Sequence, residues 1–386
     1  MTNQLSDVTY RLINATKQLV AFCDQAKTQG WVAIDTEFVR ERTYYAQLGL
    51  VQLALADDVI LVDPLTIDDL EPLWQLIADP EVIKVLHSGG EDIELLAHCA
   101  QRTPQNFFDS QIAATMLGLG DAMGYAAMVA QFFGVELDKS QSRTNWLARP
   151  LTPEQLVYAA ADVYYLARIY PQLLEQLVAT KRLDMFADEC ALQIAKRTTR
   201  TPDDLAWRDI GNAWQCEGQQ RAVLQELAAW RLATAKAQDK PLGFIVKDAA
   251  LVDLARRGPQ TMSHLGGVQE LHPQAIRRYG EAILQAVARG QARAHEDIPA
   301  PMPRLDFEPG YKVVFKKLKA EVKQQADALA LPAPFVGSRK QINELFHWYW
   351  FSDEALKRRL PTPDLISGWR KALFKTKVEA LLLPRP

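Results

Sequence analysis

Cysteine is scarce in this 386-residue chain: Cys23, Cys99, Cys190 and Cys216 stand far apart, without the close pairs that build a zinc site and too few for a disulfide scaffold. They read as free thiols in the core or at the surface, suited to a reducing compartment. Long hydrophobic runs are also missing. Nothing approaches the roughly 18 apolar residues of a membrane span, and no basic-then-apolar leader opens the sequence, so neither membrane insertion nor secretion is expected. A cytoplasmic protein is the resulting expectation. Net charge is small too, −3, which taken alone speaks against a nucleic-acid partner.

That small total hides a division. Residues 1–195 carry 13 Lys and Arg against 26 Asp and Glu, net −13, whereas residues 196–386 carry 31 against 21, net +10. An acidic half suits a carboxylate-lined cation site, because bound cations invert the local field. A basic half suits capture of a phosphate backbone by counterion release. The same asymmetry also serves solubility alone. At 48% hydrophobic residues the chain can bury two or three separate cores, and its length favours more than one domain.

Three clusters carry the chemistry. Asp35 and Glu37 follow the apolar run 31–34, which reads as a buried strand ending at them. Residues two apart on a strand project from one face, about 6.6 Å apart along it, so both carboxylates can reach one ion. Asp92 falls in a helical pattern. Tyr158 and Asp162 lie four apart in a helical stretch with Thr152 placed to cap it and Pro153 in its first turn, which stacks the phenol over the carboxylate. Four carboxylates and one phenol are an inventory for holding two divalent metals against a phosphodiester. Spacing alone means little, since Asp-x-Glu recurs at Asp69/Glu71, Asp92/Glu94 and Asp306/Glu308, but only the first pair ends a continuous apolar strand.

Ile34-Asp35-Thr36-Glu37-Phe38, then His87-Ser88-Gly89-Gly90-Glu91-Asp92, then Tyr158-Ala159-Ala160-Ala161-Asp162 resemble the three exonuclease motifs of the ribonuclease D family. Residues 42–53 and 137–152 resemble that family as well, beyond the wider DEDD superfamily, and the likeness spans nearly the whole chain. It implies a 3′-to-5′ exoribonuclease of the subclass with Tyr in the third motif, dependent on Mg2+ or Mn2+, that trims 3′ ends of stable RNA precursors such as tRNA to nucleoside 5′-monophosphates. The five matched positions, Asp35, Glu37, Asp92, Tyr158 and Asp162, show no departure. On this reading Asp35, Glu37 and Asp162 hold one ion carrying the attacking water. Asp35 and Asp92 hold a second, about 3.5 to 4 Å away, at the leaving oxygen, and Tyr158 orients the water.

The expected fold class is an α/β ribonuclease H-like exonuclease domain, a mixed sheet flanked by helices, over 1–195, followed by two small all-α bundles. A strand near 10–13 and a helix over 17–27 precede the Asp35 strand. Runs 48–55 and 59–62 around Ala56-Asp57-Asp58 give a hairpin, so three antiparallel strands open the sheet. A further buried strand over 82–86 leads into the helix bearing Asp92. Glu91 and Glu94 there read as complements to the helix dipole, and Asp109 reads as a helix cap. The stretch 219–289, with Trp230-Arg231 and Arg277-Arg278-Tyr279-Gly280, resembles the HRDC domain (bounds 208–291). A Pro-rich stretch, 298–303, acts as a semi-rigid linker, and a diverged second copy follows over 310–386.

In that second unit Lys312, Lys316, Lys317, Lys319 and Lys323 recur at helical spacing, a basic stripe able to follow a phosphate backbone. Lys316 and Lys319 are candidate RNA contacts, as are Lys139 and Arg143 before the third motif. Phe38 reads either as a wedge against the terminal base or as core. The run 346–351, with His347 in it, reads as packing more than as a stacking surface. A monomer acting on RNA 3′ single-stranded ends is expected. Two other readings stay open: a 3′-to-5′ DNA exonuclease or proofreading module, because no motif encodes contacts to a 2′-hydroxyl, and a non-catalytic RNA-binding adaptor working through the helical units.

Overall fold

The computed structural model describes residues 8–138, 140–302 and 304–383. Six strands, β1 (Arg11–Ile13), β2 (Trp31–Val39), β3 (Gln47–Leu55), β4 (Asp58–Val62), β5 (Ile83–Leu86) and β6 (Phe107–Asp109), form one sheet in the order β1-β4-β3-β2-β5-β6. The apolar β3 and β4 fold back on each other at Ala56-Asp57, where Ala56 takes φ 48°. β2, β3 and β4 are antiparallel neighbours, while β1 joins β4, β5 joins β2 and β6 joins β5 in parallel. The sheet is therefore mixed.

Strand alternation sends Val51, Leu53 and Leu55 of β3, with Val32 and Ile34 of β2, to a core under α1 (Thr16–Gln29) and α2 (Glu71–Ala78). Leu50, Ala54 and Ala33 point the other way. That second face carries α4 (Ser110–Met116), α5 (Tyr125–Phe133) and the 27-residue α6 (Pro153–Ala179), whereas α3 (Gly90–Ala100) packs Ile93 and Leu96 into the first core with α1 and α2. Ala159, Ala160 and Ala161 are all buried on α6, and their small side chains let the helix lie close to the strands. The β2 strand does not stop at Ile34. Its pairing with β3 runs on through Asp35↔Gln52 and Glu37↔Leu50 and breaks register only between Glu37 and Phe38, so both carboxylates sit inside the strand.

Beyond α7 (Leu183–Thr198) no strand occurs among the described residues. A first bundle, α8 (Gln219–Gln238), α9 (Leu242–Ile245), α10 (Asp248–Arg257), α11 (Met262–Leu265) and α12 (Pro273–Gln291), closes around Leu224, Leu227, Leu251, Leu254 and Ile283. The second comprises α13 (Tyr311–Leu329), α14 (Ala333–Val336), α15 (Arg339–Trp350), α16 (Glu354–Lys357) and α17 (Arg370–Leu382). Its core, including Leu318, Leu345, Phe346 and Phe374, is continuous with the core on the α6 side of the sheet.

Three contacts fix the arrangement. Glu189 of α7 accepts hydrogen bonds from Arg370 and, at 2.8 Å, from Trp369 Nε1 of the second bundle. Asp239, at the end of α8, accepts from the backbone N–H groups of Tyr44 and Tyr45, both at 3.0 Å. In the linker, Arg221 Nε donates to the Pro299 carbonyl at 2.7 Å and Met302 packs on the first bundle. The aromatic run is packing: Phe346 and Trp350 are buried, Trp348, Tyr349 and Phe351 lie against the same core, and His347 is half-buried beside them. All four cysteines are free. Burial pushes the thiols up, Cys23 to about 12 and Cys99 and Cys216 to about 11, which leaves them protonated and unreactive. Among the described residues no helix is long and apolar enough to cross a membrane.

Candidate active site

Asp35 and Glu37, on the α6 face of β2, meet Asp162 of α6: one oxygen from each lies within 4.8 Å of the others. All three are half-buried. Asp92, in the first turn of α3, stands beside this group and is only 9% exposed. Its Oδ1 accepts a hydrogen bond from Thr36 Oγ1, whose side chain leaves β2 on the opposite face from its two neighbours.

The electrostatics follow from crowding like charges in a dry place. Burial, then repulsion from Asp162, Asp92 and Glu37, raises the Asp35 carboxyl well above its ordinary range. Burial, then Asp162 and Asp92, lifts Glu37 to about 9, and burial lifts Asp162 to about 8. Asp92 rises least, to about 6, because the Thr36 hydrogen bond works against burial. Such a cluster cannot ionise fully unless cations neutralise it, and its donors are all carboxylate oxygens, the ligands of hard divalent ions. The donor set fits the Mg2+ or Mn2+ implied by the motifs.

Tyr158 lies one helical turn before Asp162 and directs its hydroxyl at that carboxylate. Burial, then the charges of Asp162, Glu37 and Asp35, and last this hydrogen bond, keep the phenol protonated, while the same bond favours the ionised Asp162. Several groups hold this corner. Thr152 and Gln155 form a capping box at the start of α6. The preceding loop lays Trp146, 1% exposed, with its ring 6.1 Å from that of Tyr158. Its backbone lies so close to β3 that a Cβ on Gly49 would sit 2.7 Å from the Trp146 carbonyl oxygen. Arg149 clamps the loop, donating to Asp63 Oδ1 and Oδ2 at 2.7 Å each and to the Gly49 carbonyl at 2.6 Å. Beside Asp162, the Tyr125 hydroxyl donates to the Ala161 carbonyl at 3.0 Å and accepts from the Leu166 N–H at 3.1 Å.

The turn before α3 is held from outside. Ser88 sits in the left-handed region at φ 56°, and its N–H and that of Gly89 donate to Asp109 at 3.0 and 3.1 Å. Asp109 also caps α4 through the Gln111 and Ile112 N–H groups. The cap read from sequence is present, and a second duty, clasping the turn that leads to Asp92, was not legible there. Gln52 was missed as well. It is fully buried directly across from Asp35, an amide inside an apolar strand. That polar intrusion was the available signal.

The RNA-contact candidates differ in exposure. Phe38 is half-buried and on the Thr36 side of β2, away from the face of Asp35 and Glu37. Arg143 is exposed in the turn before Trp146. Lys316 and Lys319 are exposed on α13 together with Lys312, Lys317 and Lys323. Lys139 lies outside the described residues.

A family model described as a 3′-5′ exonuclease matches residues 10–178, an HRDC domain model matches 220–287, and a model of the C-terminal HRDC domain of ribonuclease D matches 309–378. Ribonuclease D of Cronobacter turicensis is 42% identical over 371 residues, covering 96% of this chain and 99% of that protein. Ribonuclease D of Escherichia coli is 40% identical over 380 residues, 98% of this chain and all of that one. The crystal structure of E. coli RNase D, described as an exoribonuclease involved in structured RNA processing, superposes with a TM-score of 0.91 at 39% identity, over 98% of this chain and 100% of that chain. With relatives this similar over its whole length, the chain belongs to the ribonuclease D family.

Proposed function

We infer that this protein is a 3′-to-5′ exoribonuclease that hydrolyses RNA to nucleoside 5′-monophosphates, and that its substrates are the 3′ ends of tRNA precursors and other stable RNAs. The observation that carries the reading is the meeting of Asp35, Glu37 and Asp162 within 4.8 Å beneath a tyrosine. Asp35, Glu37, Asp92 and Asp162 would hold two divalent cations, Mg2+ or Mn2+. Bound there, such ions lower the pKa of a water and offset charge on the phosphodiester.

The chain's own residues do the remaining work. Tyr158 stays a neutral hydroxyl, donates a hydrogen bond to the Asp162 carboxylate, and so leaves its oxygen lone pairs free to align an attacking water. Thr36 holds one oxygen of Asp92 and leaves the other for the site. We read the units as an exonuclease domain over 1–195, a first HRDC domain over 208–291 and a second over 310–386. Arg143, Lys139, Lys316 and Lys319 would contact phosphates, with Phe38 at the terminal base, in a cytoplasmic monomer.

An end-labelled, tRNA-like RNA with a single-stranded 3′ tail tests this with Mn2+, with Mg2+ and with chelator, beside a matched DNA. Mononucleotide release from the RNA 3′ end, abolished by chelator and by Asp35→Asn, is expected. Tyr158→Phe should lose most of the rate while still binding Mn2+. Binding without shortening would return the protein to the class of RNA adaptors, and preferential loss of the DNA would make it a DNA exonuclease.

A further inference from the structure

Where the first bundle, the linker and the second bundle meet, two large aromatic side chains stand in solvent. Trp214 is 40% exposed and Phe307 70% exposed, and their rings meet edge to face with centroids 6.5 Å apart. Arg304 bridges them, its guanidinium carbon 5.6 Å from the Trp214 centroid and 4.9 Å from that of Phe307. Its ion pair with Asp306 is long, Nε to Oδ2 at 3.9 Å. A protein gains nothing in stability by holding two such rings in water, and an exposed aromatic pair with a guanidinium is the composition that stacks unpaired bases.

Trp214 and Arg304 also form the lip of a recess of about 260 Å³ whose wall presents Asn212, Asn343 and Arg339, amide and guanidinium groups able to meet the edge of a base. Met302 and His347 belong both to this recess and to a larger cavity of about 1410 Å³, whose far wall is the Ser88–Gly89–Gly90 turn leading into the helix of Asp92. None of the four clustered carboxylates lines the recess. The exposed lysines of α13 begin at Lys312, next to Tyr311 of the recess wall.

We propose that Trp214, Phe307 and Arg304 form a stacking platform for an unpaired base of the RNA upstream of the 3′ end being removed. The proposal rests on the exoribonuclease reading and adds a second point of substrate contact, in a recess that none of the clustered carboxylates lines. Such a platform lowers KM for RNA long enough to occupy both places and is indifferent to a dinucleotide lying in the catalytic cleft alone. Stacking is sequence-tolerant, so the effect should be similar for oligo(A) and oligo(U).

The test compares wild type, Trp214→Ala/Phe307→Ala and the conservative Trp214→Phe/Phe307→Tyr on a 20-nucleotide single-stranded RNA and on a dinucleotide, with melting curves for each protein. The alanine pair should raise KM for the long RNA about tenfold, leave kcat and the dinucleotide reaction alone, and be largely rescued by the aromatic pair. An unchanged KM for long RNA, or an equal rise for both substrates, overturns the platform; so does a lowered melting temperature with KM unmoved, which would make the contact a staple for the linker. Independently of any variant, 4-thiouridine RNA irradiated with the wild-type protein in chelator should cross-link to peptides bearing Trp214 or Phe307, and cross-links confined to other peptides count against the proposal. If wild type degrades neither substrate, the exoribonuclease reading itself fails, an outcome distinct from all of these.

Discussion

Gln52 stands directly across the β2–β3 ladder from Asp35, wholly buried, and among the described residues neither Nε2 nor Oε1 of its amide has a hydrogen-bond partner. An unpaired buried amide costs about 1–3 kcal/mol, so the position sacrifices stability to keep a polar group beside a crowded carboxylate. Gln52→Leu should stabilise the metal-free protein by about 1 kcal/mol in urea unfolding. It should also make the Asp35 pocket less polar, so that more Mn2+ is needed for half-maximal activity. A variant that is less stable than wild type, or one with an unchanged Mn2+ requirement, would remove the role.

The raised carboxyls make a pH prediction with a definite sign. Asp92 at about 6, Asp162 at about 8 and Glu37 at about 9 exceed the roughly 4 of unfolded carboxyls, and burial with the neighbouring carboxylates raises Asp35 well above its ordinary range too. The folded protein therefore holds more protons than the unfolded chain across that interval, and stability falls as pH rises. In chelator the melting temperature should drop from pH 5 to pH 9. Asp35→Asn removes one buried charge and relieves its neighbours, so its melting temperature should exceed wild type at pH 8 and converge with it near pH 5. Added Mn2+ should stabilise wild type strongly at pH 8 and the variant little.

The carboxylate pairs were legible because their spacing survives folding: two apart on a strand and four apart on a helix stay neighbours whatever surrounds them. The sheet's hairpin and the helical second half were legible for the same reason, through period. What escaped was tertiary. Asp109 sits next to its own helix and shows as a cap, but its second pair of bonds reaches back to Ser88 and Gly89, across 20 residues and more, by the β5–β6 pairing. Arg149 and Asp63 meet 86 residues apart, and no local pattern marks either of them. The length of β2 was misread because its register with β3, not its apolar content, carries it past Asp35.

Thr36 offers a sharper test of how Asp92 is set. Its hydroxyl is buried and spends its hydrogen on Asp92 Oδ1. Thr36→Val preserves the shape and removes the donor, and a hydrogen bond to a charged group contributes about 1.5–3 kcal/mol. Activity should fall on the order of ten- to a hundredfold with higher Mn2+ demand, and Thr36→Ser should recover most of it. Equal loss in Val and Ser would trace the effect to packing of the γ-methyl instead.

The same logic applied to the buried pair between α7 and α17 predicts non-additivity. Glu189 and Arg370 are 3% and 1% exposed, and Arg370 also donates to the Val336 and Phe335 carbonyls at 2.9 and 2.8 Å. Removing only the acid, as in Glu189→Gln, leaves the guanidinium buried without its counter-charge, a loss of about 3–5 kcal/mol. Replacing both, Glu189→Leu with Arg370→Met, trades the pair for apolar volume and should be much less destabilising than either single change. Urea unfolding of Glu189→Leu, Arg370→Met and the double variant beside wild type measures this directly. Because the pair ties the second bundle to the exonuclease sheet, Glu189→Gln should also expose the segment before α13 to limited proteolysis, whereas the double variant should resist it like wild type. Additive losses in the two single variants would mean that the residues act separately and that the bundle is held by its apolar core alone.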